Sequence, residues 1–334
     1  MNSREIVIRT LTFSGPERLA ASFPAPYWHD FLNVSYRLPE YEPEWRSVGP
    51  ERQEYVDEWG NTWARLDRTS KGEIARGALD SWDALDQLVL PDLANPLNYV
   101  SVSEACRRNA GDRFVIGGLP GFPFNIARKL RRLDQFLMDV LLEPEPVSEL
   151  LRRIEALLHE MIIAYAQSGV DAVMFPEDWG TQLALMVSPP LWRRMFKPAY
   201  VALCDTAHQH GIRVFMHSCG KITSIIPDLI ESGIDLLQFD QPRLHGIDLL
   251  AQFKGRVTFW CPVDIQKTLQ SGDADAIAQE ACELIDQLGG PAGGFVGGYY
   301  SDNVAIGLDP HWQDIACQAF MRHGNYQERK DLGQ

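Results

Sequence analysis

Along the second half of the chain, hydrophobic and polar positions repeat one phrase three times: an amphipathic helix, a glycine, an apolar strand. From Ser148 to Gln167 the residues Leu150, Leu151, Ile154, Leu157, Leu158, Met161 and Ile162 fall at i, i+3/i+4 spacing, the stripe of a helix with one buried face. The stripe stops at Gly169, and Val170–Phe175 follows as a buried strand. A second helix opens with Ser188 as N-cap and Pro189 at its first position, and ends at Gly211 before the strand Ile212–Met216. The third, Lys221 to Ser232, ends at Gly233 before Ile234–Phe239. Each glycine supplies the left-handed residue that ends a helix and turns the chain into a strand.

Further apolar runs extend the series. Arg256–Trp260 and Gly294–Val296 read as strands with a helix at 275–288 between them, and 113–116 and 19–23 are two more candidates. Short apolar strands alternating with helices predict a parallel sheet covered by helices. With about seven strands and no Gly-rich dinucleotide fingerprint, the pattern predicts an α/β fold, a closed (β/α)8 barrel. Residues 36–95 are irregular and rich in Trp, Glu and turn residues. They read as a lid or decoration at the mouth of a single barrel domain spanning 1–334.

In such barrels chemistry collects where strands end. Here those ends read Glu177-Asp178-Trp179-Gly180-Thr181-Gln182, His217-Ser218-Cys219-Gly220, Asp240-Gln241, Cys261-Pro262-Val263-Asp264 and Gly297-Gly298-Tyr299-Tyr300. His217 and Cys219, two residues apart at a strand end, can aim an imidazole and a thiolate the same way, which suits tetrahedral zinc. Asp240, Glu177 and Cys261 are placed to complete the ligand set. The plainer alternative is a histidine bonded to the barrel rim beside a small buried cysteine. For Cys261, position alone leaves ligand and packing open. Glu177 or Asp178 suits a metal shell or proton transfer, with Trp179 and Gln182 as an aromatic wall and an amide. Asp240 and Tyr299 join the catalytic candidates.

Composition narrows the partners. With 31 Lys and Arg against 45 Asp and Glu, the net charge is −14, which opposes phosphate backbones and anionic membranes over the general surface. Nucleic acid and membrane are therefore not expected as partners. The N-terminal residues carry no apolar core of signal-peptide length, so a cytoplasmic location is expected. The chain's 6 cysteines form no CxxC pair and are expected to be reduced thiols.

The run 177–182, then Ser188-Pro189-Pro190-Leu191-Trp192-Arg193, His217-Ser218-Cys219-Gly220 and Gly233-Ile234-Asp235 to Asp240-Gln241 resembles the uroporphyrinogen decarboxylase superfamily. Asp57-Glu58-Trp59-Gly60 and the 81–92 region are similar to its methyltransferase-like branch, which contains zinc- and corrinoid-dependent enzymes. The resemblance runs from about Pro16 to Ala319 and implies a (β/α)8 barrel.

Decarboxylases of this superfamily carry an N-terminal Arg-rich stretch that binds the porphyrinogen carboxylates. Here the comparable region keeps only Tyr36-Arg37-Leu38-Pro39-Glu40-Tyr41. Residues 40–58 then hold the acids Glu40, Glu42, Glu44, Glu51, Glu54, Asp57 and Glu58 against Arg46 and Arg52. A polycarboxylate would meet repulsion there without bidentate guanidinium partners. The expected activity is methyl transfer between a small substrate (a methoxyl, methylamine-type or thiol compound) and a corrinoid. No Asp-x-His-x-x-Gly corrinoid motif occurs, so a separate protein would carry the cobalamin. The resemblance also implies zinc on a His-x-Cys pair, matched by His217 and Cys219, with a distant third cysteine near the last strand. That cysteine is missing here, so either Cys261 or a carboxylate such as Glu177 or Asp240 replaces it, or zinc is absent. A homodimer is implied by the same resemblance. Decarboxylation of a porphyrinogen or smaller acid is the alternative reading, and a non-catalytic binding barrel the third.

Overall fold

The structure is a computed structural model that describes residues 1–331 apart from 40, 50 and 67–69, and the side chains of 329–331 are likewise left undescribed. Glu40 of the acidic stretch thus lies outside the described residues. In chain order the strands are β1 (Ala20–Ala21), β2 (Phe31–Val34), β3 (Arg46–Gly49), β4 (Arg52–Val56), β5 (Thr62–Arg65), β6 (Glu73–Arg76), β7 (Phe114–Gly118), β8 (Ala172–Pro176), β9 (Arg213–His217), β10 (Leu236–Gln238), β11 (Thr258–Cys261) and β12 (Phe295–Gly297).

Eight of these form one parallel sheet in the order β1-β12-β11-β10-β9-β8-β7-β2. The Asp30 amide donates to the Ala21 carbonyl, at 2.9 Å, and links the two edge strands. Helices wrap the outside, as in a (β/α)8 barrel. The period-2 alternation of each strand sorts side chains into two compartments. Ala20, Phe31, Phe114, Ile116, Ala172, Phe215, Leu236, Trp260 and Val296 fill the barrel interior. Their neighbours Ala21, Val115, Val173, Met216, Leu237, Phe259 and Cys261 pack outward against the helical shell. An N-terminal helix, Ser3–Leu11, inserts Ile6 and Val7 into the interior cluster and closes the floor.

The three helix–glycine–strand units are present, with Gly169, Gly211 and Gly233 all at positive φ. Proline breaks two of the predicted helices. The segment after Ser188 splits into Pro189–Met195 and Lys197–Gln209, because Pro198 lacks the N–H that a continuous helix needs. Between 221 and 232, a 3-10 turn (Thr223–Ile225) precedes a helix confined to Ile226–Glu231, which has Pro227 in its first turn. The first strand shortens to Ala20–Ala21. The helices Pro123–Leu130 and Leu133–Leu142 and strand β2 carry no punctuation that separates them from loop by pattern alone.

The irregular region contains a four-stranded antiparallel sheet, β3-β4-β5-β6. Its ladder is held by an aromatic file: Trp45 edge-on to Tyr55 with centroids 4.6 Å apart, and Tyr55 stacked on Trp63 at 5.9 Å. At its tip, Lys71 Nζ lies 3.3 Å from Asp302 Oδ2 in the loop after β12. At its other end the chain is clamped to the barrel wall, where the Leu79 amide donates to the Leu130 carbonyl at 2.9 Å. The Arg131 side chain donates to the Leu79 carbonyl and pairs with buried Asp139 at 2.7 Å. Among the described residues, no helix is long and apolar enough to cross a membrane.

Candidate metal centre

Two loops at the C-terminal face meet side by side, one leaving β8 and one leaving β9. Pro176 and His217 are register partners. The Glu177 amide donates to the His217 carbonyl at 2.9 Å, and the Lys221 amide to the Thr181 carbonyl at 2.7 Å. The loops touch where both lack side chains. A Cβ on Gly180 would lie 2.4 Å from the Lys221 nitrogen, and one on Gly220 would lie 2.0 Å from the Gly180 oxygen. Gly220 also sits at φ +74°, so glycine is required there twice over.

This crossing gathers Asp178, His217 and Cys219, whose donor atoms all lie within 4.8 Å of one another. His217 Nε2 is 3.3 Å from Cys219 Sγ and 3.7 Å from Asp178 Oδ1. Tetrahedral zinc, with bonds of 2.0–2.3 Å, sets neighbouring donor atoms about 3.3–3.6 Å apart. The spacing and the mixed N, S and O donors therefore fit zinc, with one position left for an exogenous ligand. His217 also lines a cavity of 310 Å³ among Asn33, Val34, Met174 and Pro176.

The outer shell fixes the imidazole. Gln238 Nε2 donates to Asp240 Oδ1 at 2.8 Å, which turns the amide oxygen of Gln238 toward His217 Nδ1. Nδ1 is then the protonated nitrogen, and the Nε2 lone pair faces Cys219 and Asp178. The Cys219 amide donates to Asp178 Oδ1 at 2.8 Å, and an Arg128 nitrogen stands 3.8 Å from Asp178 Oδ2. Although Cys219 is exposed, partial desolvation pushes its thiol up to about 12, with Asp178 and Asp240 adding to the shift. Without a cation this sulfur stays protonated at neutral pH. A divalent ion bound there would supply the charge that the thiolate requires.

The other sequence-predicted residues are placed differently. Glu177, adjacent to Asp178, points to the opposite side and is fully buried. It accepts the amides of Phe122, Phe124 and Asn125 at 2.9–3.1 Å, anchoring the first turn of the 123–130 helix. Burial pushes its carboxyl up to about 8, against the pull of those amides and of the Arg128 charge. Trp179 is no pocket wall. It is buried between Phe124, stacked at 3.8 Å, and Phe196, and it donates to the Tyr200 hydroxyl at 2.8 Å. Cys261 follows the inward-facing Trp260 and so packs outward, buried in the helical shell, away from the donor cluster. Asp240 reaches His217 only through Gln238. The Tyr299 hydroxyl accepts from Asn303 at 3.2 Å, and Gln182 is exposed on the turn bridged by Gly180 and Leu185.

Sequence reasoning passed over Gln238 and Arg128. Gln238 was accessible in principle, since it ends strand β10 beside His217 of the neighbouring strand, at the face where chemistry collects. Arg128 arrives by tertiary placement of a helix that the pattern did not predict.

Comparison with solved structures finds this architecture elsewhere. A methyltransferase from Methanosarcina mazei is similar over 79% of this chain and 75% of its own, at 17% identity and a TM-score of 0.61. An L-ribulose 3-epimerase (14% identity, 72% of this chain and 84% of its own, TM-score 0.46) and a D-psicose 3-epimerase from Clostridium cellulolyticum H10 (11%, 70% and 87%, 0.43) are more distant. At 17% identity the likeness to the methyltransferase concerns the fold. A profile for the family described as Uroporphyrinogen decarboxylase (URO-D) matches residues 69–298, well over half of the chain. On that match, the chain belongs to the uroporphyrinogen decarboxylase family.

Proposed function

We propose that this chain is a methyltransferase that moves a methyl group between a small substrate and a corrinoid carried by a separate protein, at a zinc ion held by Asp178, His217 and Cys219. The observation that carries the reading is the three-donor group with its oriented imidazole, whose His217 also lines a cavity at the barrel mouth. The reading extends to this chain the activity printed for the Methanosarcina mazei protein that shares its fold. Zinc bound there supplies Lewis acidity, holding a thiol acceptor as thiolate or polarising the oxygen or nitrogen of a methyl donor.

The chain's own residues do the rest. Gln238 and Asp240 keep the Nε2 lone pair of His217 aimed at the donor cluster. Arg128 offsets part of the Asp178 charge, and the Cys219 amide fixes that carboxylate's direction. Met174, Phe175 and Leu119 give the adjoining cavity apolar walls against which a methyl group can sit.

The test is the metal content of protein purified without chelator from zinc-supplemented medium, beside Asp178→Ala, His217→Ala and Cys219→Ala. About one equivalent in wild type, and a loss of tenfold or more in each variant, is expected. Less than a tenth of an equivalent in wild type overturns the zinc site. Loss of methylcobalamin absorbance with thiol, methoxyl and methylamine compounds tests the reaction. Enzyme-like release of CO2 from uroporphyrinogen would replace it with decarboxylation.

A further inference from the structure

Followed along its strands toward the mouth, the barrel interior turns from apolar to polar. Ala20, Phe31, Phe215 and Leu236 belong to the interior cluster. The next inward position, two residues on, is Ser22, Asn33, His217 and Gln238 respectively. Trp260 Nε1 donates to Ser22 Oγ at 3.1 Å, and His217 and Gln238 bond each other. Asn33 differs from these. Its side-chain amide makes no hydrogen bond among the described residues, although its register partner Ile116 sits in the apolar interior. Packing alone gives no reason for an amide at that position.

Asn33 lines the cavity of 310 Å³ that His217 also lines. Val34, Ile116, Leu119, Met174 and Phe175 give that cavity its apolar walls, and no Asp, Glu, Lys or Arg lines it. Charged groups gather next door instead. Glu42, Asp57, Glu58, Arg37 and Lys129 line a separate cavity of 750 Å³, which meets the smaller one at Ser35, Gly118 and Leu119. On the far side of His217, the Asp178 carboxylate has an Arg128 nitrogen 3.8 Å away. With zinc bound, the charges of Asp178 and of a Cys219 thiolate would balance those of the ion. An ammonium or carboxylate entering the smaller cavity would therefore leave water with no counter-charge in its wall. A neutral polar group would find the free amide of Asn33.

We infer that Asn33 selects the substrate, and that the class selected is a small uncharged methoxyl-bearing alcohol, its hydroxyl on the Asn33 amide and its methyl group against Met174 and Leu119. The inference rests on the methyl-transfer reading and narrows it. Of the substrate types in that reading, a methylamine is a cation at neutral pH and a metal-held thiol is an anion, whereas a methoxyl compound is neutral throughout. Binding is measured without zinc or corrinoid, and metal content decides the zinc site by itself, so the two readings fail separately.

The experiment is a ligand-detected NMR titration of metal-free protein with 2-methoxyethanol, methoxyacetate and 2-methoxyethylammonium, compounds of one shape and different charge. 2-Methoxyethanol is expected to bind about tenfold more tightly than either ion. Asn33→Leu, of similar volume, is expected to weaken its binding by about three- to tenfold, the worth of one hydrogen bond. Asn33→Asp is expected to move the preference to 2-methoxyethylammonium, a gain that a damaged fold cannot imitate. Thermal melts of both variants verify the fold, and neither change removes a hydrogen bond within the protein. An ion bound as tightly as the alcohol, no binding of any of the compounds, unchanged alcohol affinity in folded Asn33→Leu, or an Asn33→Asp variant that still prefers the alcohol would each overturn the inference.

Discussion

Gln238 carries no charge and ligates nothing, yet it decides which nitrogen of His217 faces Cys219. Its amide is oriented by Asp240, so one hydrogen-bond chain runs from a carboxylate through an amide to an imidazole. Such outer partners typically contribute 10–100-fold to metal affinity. We therefore expect Gln238→Leu to weaken zinc binding by about that factor while the fold stays intact, as read by competition with a chromophoric chelator. Unchanged affinity would mean that Asp178 and Cys219 alone set the site. The neighbouring carboxylates show how little residue type decides. Glu177 and Asp178 are adjacent and both acidic, but one anchors a helix end and the other faces the donor cluster, because successive side chains of an extended segment point to opposite sides.

Alternation also explains what the strands and loops disclosed beforehand. The helix–glycine–strand phrases were legible because apolar spacing and C-terminal glycines are local signals, and the matching units are present. The strand ends were legible for the same reason, which brought His217, Cys219 and Asp178 into view. Cys261 was ambiguous because the phase of β11, Trp260 inward and Cys261 outward, is set by how the whole barrel closes. The proline breaks at Pro198 and Pro227 were present in the sequence, but the amphipathic stripe runs across them. Hidden altogether was the glycine crossing between the β8 and β9 loops, since nothing local pairs Gly180 with Gly220. We expect Gly220→Ala to destabilise the protein by on the order of 3 kcal/mol, because both the backbone angle and the space are denied. The loss should appear as a lower denaturation midpoint together with weakened metal binding. A midpoint within error of wild type would show that the loops can part at little cost.

At the scale of the molecule, the acid excess is less uniform than its total suggests. Along 40–58, Glu44 faces Arg46 and Glu54 pairs with Arg52 on the outer sheet, while Asp57 closes an internal turn. The net charge of −14 therefore says little about what the mouth will admit. Global stability carries a pH signature from the opposite side of the barrel wall. His208 bonds Asp235 at 2.8 Å, which raises the imidazole pKa from its usual value. A histidine whose folded pKa is raised contributes stability that is fully present below its unfolded pKa and is lost as pH rises through the folded one. Between pH 6 and 8 the wild type should therefore lose stability that His208→Asn does not, by about 0.5 kcal/mol or less for so exposed a pair. Parallel slopes in denaturant titrations at the two pH values would rule this contribution out.

Finally, the register of Pro176 with His217 makes the sheet itself a ruler. Asp178 and His217 hang from neighbouring strands, whose separation of about 4.8 Å is set by backbone hydrogen bonds and not by side chains. The ladder ends at that pair, and Asp178 and Cys219 follow on the loops just beyond it. Small ions with few ligands suit such a frame. A large ion such as calcium, which calls for six to eight oxygens, meets one carboxylate beside an imidazole and a thiol, a donor set that it does not favour.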